Sequence, residues 1–340
     1  MYLIHRVAAV ALLGLVSCSD EPADGAIPST PLRLGYFPNL THAPVIVGLE
    51  KRFFAEELGP TVALEPSTFS AGPQVATALL SNALDMAFLG PNPAINAHHQ
   101  SRGRGIRVVA GCTSGGAALI VKPAIRSAAD LRGRRVATPQ LGNTQDVALR
   151  SWLVDQGLHV TREGGDVAIV NQTNAQSLVA FRNGAIDGAW VPEPWATRLR
   201  IEGGGKVLVD ESALWPEGRF VTTLLVVRTE FLRRHTDIVT RFLRGHIRAV
   251  NFAVVDPDTA QAVLNADLVR LTGRALAPDV LSVAWRNLAF TVDPLPSTLE
   301  RSAENARRVG LLGAVDLSGI YALAPLNQGL ASRGRPAVAP

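Results

Sequence analysis

Three observations predict an α/β chain built as two similar lobes. From Leu32 onward, short apolar runs alternate with longer stretches of helical period, the signature of strands laid side by side with helices on both faces. The segment Ser81-Asn-Ala-Leu-Asp-Met-Ala-Phe-Leu-Gly-Pro-Asn-Pro93 recurs about a hundred residues later as Asn183-Gly-Ala-Ile-Asp-Gly-Ala-Trp-Val-Pro-Glu-Pro194, with Asp85 over Asp187 and Phe88 over Trp190. Small, flexible residues at Cys112–Gly116 mark a crossing between lobes, and a return falls near Arg219–Thr223. Two similar halves facing one another make a cleft, where a small molecule binds.

The elements follow in order. Leu32–Tyr36 reads as the first strand, and the loop Phe37–Pro44 opens a helix running through Leu58. Thr61–Glu65 is the second strand. In the polar loop after it, Ser70 suits an N-cap and Pro73 the first turn of a helix to about Asn82. Met86–Leu89 is a buried strand, 93–101 a helix and Arg107–Ala110 a strand. Ala118–Lys122 and Arg135–Ala137 restart the pattern. The loop Pro139–Gln145, the strand Val167–Val170, the helix Thr173–Asn183 and the strand Gly188–Val191 then repeat the first pass, with Gln176 echoing Gln74. Leu224–Val227 is the returning strand. Helical spacing covers 230–253, 257–272, 278–290 and 296–310, and residues 335–340 should fray.

The 340 residues, 47% hydrophobic and 18% charged, are enough for one or two substantial cores. A formal net charge of +4, without an arginine-rich run interleaved with aromatics, gives no footprint for nucleic acid. At the N-terminus, His5 and Arg6 precede an apolar run from Val7 to Val16, about ten residues and too short to span a bilayer. It reads as an export signal. Leu15-Val16-Ser17-Cys18 is similar to a bacterial lipobox, which makes Cys18 the lipidated first mature residue; the alternative is an ordinary secretory signal with an incidental cysteine. The acidic, proline-containing stretch Ser19–Pro31 suits a solvated tether. Cys112, left without a partner, reads as a small buried hydrophobe.

Several motifs together resemble the periplasmic-binding-protein superfamily, specifically the solute-binding lipoproteins of ABC importers for nitrate, taurine and aliphatic sulfonates. They are Leu34-Gly-Tyr-Phe-Pro-Asn39 with Ala43-Pro44, Gly48-Leu-Glu-Lys-Arg-Phe-Phe54, Asp85-Met-Ala-Phe-Leu-Gly-Pro91, Asp130-Leu-Arg-Gly-Arg-Arg-Val136 and Val191-Pro-Glu-Pro-Trp-Ala196. The resemblance covers roughly Leu32 to Phe252. It implies two mainly parallel sheets flanked by helices, joined by two crossovers and closing over a ligand delivered to a membrane permease and its ATPase. The expected organisation is a signal at 1–17, a lipidated tether at 18–31, lobe 1 at 32–116 and 222–334, lobe 2 at 117–221, and a disordered tail at 335–340. The implied protein is an exported, lipid-anchored monomer.

In such sheets the ligand sits beyond the carboxyl ends of the strands. Lobe 1 there offers Tyr36, Asn39, Thr41 and His42, then Ser70, Ala71 and Gly72, then Gly90, Pro91 and Asn92. Lobe 2 offers Asn143, Thr144 and Gln145, then Glu193 and Trp195, with Thr222 and Thr223 on the return crossing. Ser70 and Asn143–Gln145 lie at helix starts, where free N–H groups favour an anion, and Ser70 and Thr144 are expected to cap those helices. No lysine or arginine lies in these loops. Glu193 either pairs with a neighbouring arginine such as Arg198 or faces the cleft, where it would repel a simple anion and suit an amine, hydroxyl or imidazole group. A sulfonate or taurine-like solute leads; a pyrimidine binder, a sensor and an enzyme of the same fold are the alternatives. No nucleophile, base and orienting group share a motif, so neither catalysis nor a cofactor is expected. His98-His99 lacks further ligands at metal spacing. Gly203-Gly-Gly205 lacks the Ser or Thr of a phosphate loop, because Val207 follows Lys206.

Overall fold

A computed structural model describes residues 29–161 and 165–340; the export signal, Cys18 and most of the tether lie outside the described residues. β1 (Thr30–Tyr36) runs through a 3-10 turn at Leu40–His42 into α1 (Ala43–Glu50) and α2 (Phe53–Leu58). β2 (Val62–Thr68), α3 (Gly72–Leu80), β3 (Met86–Leu89), α4 (Pro91–Gln100) and β4 (Ile106–Gly115) follow. The middle of the chain holds β5 (Ala117–Val121), β6 (Arg135–Thr138), α5 (Thr144–Asp155), β7 (Ala168–Asn171), α6 (Asn174–Arg182), β8 (Gly188–Pro192), α7 (Trp195–Ile201) and β9 (Lys206–Asp210). β10 (Val221–Arg228) returns, and α8 (Thr229–Arg234), α9 (Thr236–Val255), α10 (Pro257–Thr272), α11 (Pro278–Arg286), β11 (Leu288–Phe290), α12 (Pro296–Arg308) and α13 (Ala324–Ala331) complete the order.

The strands form two sheets, one ordered β11-β4-β10-β3-β1-β2 and the other β7-β6-β8-β5-β9. Both are mixed, where the alternation predicts mainly parallel ones. β1 pairs in parallel with β2 and β3, and β6 with β7 and β8. The strand arriving from the other lobe enters the opposite way: β10 lies antiparallel to β3, and β5 antiparallel to β8. Neither strand is reached through an α-helical crossover: β5 follows β4 directly, and only two short 3-10 turns separate β9 from β10. Each sheet buries both faces, and alternation within single strands shows it. On β10, Leu225 and Val227 join one core cluster while Leu224 and Val226 join another. On β5, Leu119 and Val121 divide from Ala118 and Ile120 in the same way.

The repeated segment is a repeated structural joint. The Asp85 carboxylate accepts from the Arg33 N–H at the start of the parallel β1–β3 pairing, and Asp187 accepts from the Arg135 N–H at the matching place in β6–β8. The backbone repeats it, since Asp85 N–H donates to Arg33 O and Asp187 N–H to Arg135 O. Each carboxylate therefore locks a strand register and fixes where the following loop emerges.

Several expectations are corrected. The single helix from the first loop to Leu58 is two, broken where Arg52 adopts φ 60°. That break swings Phe54 into a slot against Phe242, rings stacked at 4.3 Å, and Gly48 makes the slot because a Cβ there would overlap the Phe54 ring. The stretch 278–290 stops being helical at Arg286, and β11 pairs with β4 at the sheet edge. β9 and α13 appear where the sequence pattern gave no element. The tail past 335 is held at Val338, whose N–H and C=O both bond the Asn327 side chain at 2.9 Å. Cys112 is fully buried.

Candidate ligand-binding cleft

The carboxyl ends of β1, β2 and β3 face those of β6, β7 and β8 across a closed cleft. It holds a partly open cavity of about 40 Å³, room for about three water-sized groups. Of the residues expected there, Asn39, Thr41, His42, Ser70, Ala71, Gly72, Gly90, Asn143, Thr144, Gln145, Thr222 and Thr223 line it. The lobes meet tightly: a Cβ on Gly90 would overlap Thr144 Oγ1.

Five expected residues lie elsewhere. Tyr36 turns into the lobe 1 core, where burial pushes its hydroxyl up to about 12. Pro91 and Asn92 belong to the first turn of α4, not to a loop, and Asn92 Nδ2 donates to Ser302 O at 3.0 Å. Glu193 is buried and turned away. It accepts from the Thr197 N–H and hydroxyl, and from Asn287 Nδ2 at 2.7 Å, so it ties lobe 2 to the end of α11. Burial pushes its carboxyl above the ordinary value against those three bonds. Trp195 lies outside the cavity, with the Arg198 guanidinium 4.7 Å from its ring centroid.

The expected caps also differ. Ala71 occupies the N-cap of α3 and has no side chain to offer; Ser70 Oγ donates instead to Gln74 Oε1 at 3.1 Å. Asn143 caps α5, its Oδ1 accepting from Gln145 N–H at 3.1 Å. Thr144 Oγ1 is left buried without a partner, and so is Asn174 Oδ1 on the cavity wall. Unpartnered buried polar atoms are rare because each forfeits its hydration, and both of these belong to residues that line the cavity.

None of the sixteen lining residues carries a formal charge. His42 accepts from the Phe37 N–H through Nδ1 at 3.3 Å, which leaves its hydrogen on Nε2, and burial lowers its pKa to about 3. It is a neutral donor. The first turns of α3 and α4 supply N–H groups with no helical acceptor and the positive ends of two helix dipoles, though Pro91 and Pro93 remove two of those donors from α4. Beneath lobe 2's wall, the buried Asp146 carboxylate accepts from Thr138, the Gly142 N–H, Asn171 and Arg150, and holds the loop after β6 in place.

The model of the NMT1-like family matches residues 25–267. This chain belongs to the NMT1-like family. Among the NMT1-like protein's relatives, the taurine-binding periplasmic protein of Escherichia coli (strain K12) is 30% identical over 236 residues, 68% of this chain and 70% of that one. Two solved structures share the fold. The alkanesulfonate-binding protein SsuA from Xanthomonas axonopodis pv. citri, bound to MOPS, is 20% identical with a TM-score of 0.69, covering 84% of this chain and 95% of that one. The nitrate-binding protein NrtA from Synechocystis PCC 6803 is 16% identical with a TM-score of 0.71, covering 91% and 90%. The two-lobed periplasmic-binding-protein fold is thereby established for the NMT1-like protein.

Sequence reasoning missed Phe37, Pro139, Asn174 and Pro192, which complete the lining. The repeat carries the signal for two of them, Asn174 and Pro192, whose counterparts Gly72 and Gly90 were expected. Shifted as Asp85 is to Asp187, Phe37 falls on Pro139, Gly72 on Asn174 and Gly90 on Pro192.

Proposed function

We propose that this protein is the extracytoplasmic solute-binding component of an ABC importer and captures an aliphatic or taurine-like sulfonate by closing its lobes. The observation that carries the reading is the small cavity between the lobes, lined by helix N-terminal residues and neutral donors without a charged side chain. A sulfonate spreads one negative charge over three acceptor oxygens, which matches dispersed donors better than a single countercharge. Hydrogen bonds to a charged group contribute about 1.5–3 kcal/mol each, so three or four give micromolar affinity after association costs. Glu193 is engaged elsewhere, so an ammonium on the solute meets only neutral oxygens such as Asn174 Oδ1 and the threonine hydroxyls. The relatives are binding proteins, and the role assigned here is capture and delivery without chemistry. Delivery is to a membrane permease and its ATPase, from a monomer anchored through a lipid on Cys18. Titration calorimetry with methanesulfonate, taurine, nitrate and bicarbonate tests the reading: sulfonates are expected to bind in the micromolar range, and silence across them would remove the ligand class.

A further inference from the structure

The strand ends of lobe 1 that point away from the cleft carry arginines that solute capture does not use. Shared bonds hold them side by side. Arg33, near the start of β1, and Arg228, at the end of β10, both donate to the Asp85 carboxylate. The next residue, Thr229, donates its N–H to Gly105 O and accepts from the Arg107 guanidinium through its hydroxyl, which docks the turn carrying Arg102 and Arg104 on the same edge. α8 adds Arg233 and Arg234, which share Glu230. Besides Asp85 and Glu230, Glu65 lies opposite Arg33 in the β1–β2 register, and Asp316 lines the same hollow as Arg102. Seven arginines thus stand among four carboxylates, and Arg102, Arg104 and Arg107 form no ion pair among the described residues. Such a face attracts an extended anionic surface.

We propose that this end of lobe 1 lies on a membrane surface rich in anionic lipid headgroups, arginines against phosphates, with the cleft on the side away from the bilayer. Charge alone does not choose the end, because the outer end of lobe 2 is also basic, with Arg134 and Arg135 beside Asp187. The course of the chain chooses it. β1 starts at Thr30, three residues before Arg33, and Thr30 is twelve residues from Cys18. A lipid on Cys18 therefore holds the lobe 1 end within about 40 Å of the bilayer, the longest reach of such a segment, whereas the outer end of lobe 2 lies beyond the cleft. At contact, within a screening length of about 8 Å, each arginine favours the bound face by about fivefold, the ~1 kcal/mol of a cation at an anionic surface. The inference goes beyond solute capture and is independent of the solute, but it rests on the Cys18 anchor proposed above.

The test uses the lipidated protein reconstituted in vesicles of phosphatidylcholine, alone or in equal mixture with phosphatidylglycerol, each doped with a headgroup-labelled quencher lipid. A fluorophore is placed at Ala83→Cys or at Ala185→Cys, exposed residues that hold the same place in the repeat at the outer ends of lobes 1 and 2. Cys112 is fully buried and does not compete for the label. The Ala83 label should be quenched on the mixed vesicles at low salt and recover in high salt or on phosphatidylcholine alone, while the Ala185 label stays bright throughout. Arg102→Gln with Arg104→Gln should lower the ratio of quenched to unquenched protein by about 25-fold, the effect of two such arginines, with the melting temperature unchanged. Quenching at both labels alike or at neither, quenching indifferent to phosphatidylglycerol, or a double variant that behaves as wild type overturns the membrane face and leaves the anchor standing. Protein that sediments with neither kind of vesicle removes the anchor and this inference with it.

Discussion

Lobes 1 and 2 share one strand order, β2-β1-β3-β10-β4 in the first and β7-β6-β8-β5-β9 in the second, yet they hold their helix ends in opposite ways. In lobe 1 the N-termini of α3 and α4 have no side-chain cap, and both reach the cavity. In lobe 2 the counterparts are finished: Thr173 with Gln176 makes a reciprocal capping box on α6, the match of α3, and Glu193 accepts from the Thr197 N–H in the first turn of α7, the match of α4; Asn143 also caps α5. The scaffold was kept while its donors were released on one side and satisfied on the other. On the sulfonate proposal, lobe 1 is the side that presents amides to the anion, and lobe 2 the side that closes over it with side-chain oxygens.

The register carboxylates show the same asymmetry with the largest energetic consequence. Asp85 is 2% exposed and bonds both Arg33 and Arg228, whereas Asp187 is 24% exposed and lies 3.6 Å from Arg134. Burial works against charge on Asp85, but the hydrogen bonds from Arg33 and Arg228 hold its pKa below the ordinary value. Asp85→Ala strands partly buried guanidinium groups and should cost about 3–5 kcal/mol, against about 1 kcal/mol or less for Asp187→Ala. Denaturant unfolding of the two variants measures the gap, and equal losses would show that burial does not distinguish the two joints.

Phe88 and Trp190 occupy the matching strand position, and only the indole needs an acceptor. Glu211 supplies it, taking the Trp190 Nε1–H at 2.7 Å, and burial raises its pKa to about 7. A carboxyl raised in the fold binds its proton more tightly there than in the unfolded chain. Its contribution is therefore complete below about pH 4.5 and disappears as pH rises through about 7. Glu211→Gln stays neutral throughout. The variant's stability relative to wild type should improve by about 2–3 kcal/mol between pH 5 and pH 8. Melting curves at the two pH values check this, and a constant difference would mean that Glu211 is no harder to ionise folded than unfolded. Lobe 1, with Phe88 in that place, contributes no such slope.

Most of this architecture was legible because strands buried on both faces appear as short apolar runs, and because the Asp85 and Asp187 segments announce themselves as copies. The cleft was legible as loops, not as side-chain directions. Glu193 and Trp195 are the two most chemically expressive residues of their loop, yet Glu193 is consumed by Thr197 and Asn287, which is 94 residues away in sequence. No local pattern contains that partner. Ser70 has the chemistry of a cap but sits one residue too early, since the helix begins at Gly72 and Ala71 takes the capping place. Sheet direction was misread for a related reason: periodicity records a strand's faces, whereas the antiparallel entry of β5 and β10 depends on how the chain crosses between lobes.

The capping difference yields the smallest expected effect and the most direct test of why the lobes diverged. Ala71 and Thr173 hold the same place in the repeat, so exchanging their roles changes one helix end at a time. Thr173→Ala removes a cap on α6 and should cost about 1 kcal/mol of stability. It should leave sulfonate affinity unchanged, because that helix end is already satisfied within lobe 2. Ala71→Thr does the reverse: it gives α3 a hydroxyl that accepts from its own first turn and should stabilise the lobe by a similar amount. The same hydroxyl competes for an N–H that the cavity presents, so affinity should fall about tenfold, the loss of one hydrogen bond to a charged group. Thermal melts and methanesulfonate titrations on both variants read the two quantities independently. If Ala71→Thr stabilised the protein and bound as well as wild type, the open helix end would be a neglected cap; if it stabilised and bound more weakly, lobe 1 would be shown to keep its amides free for the solute at the expense of its own stability.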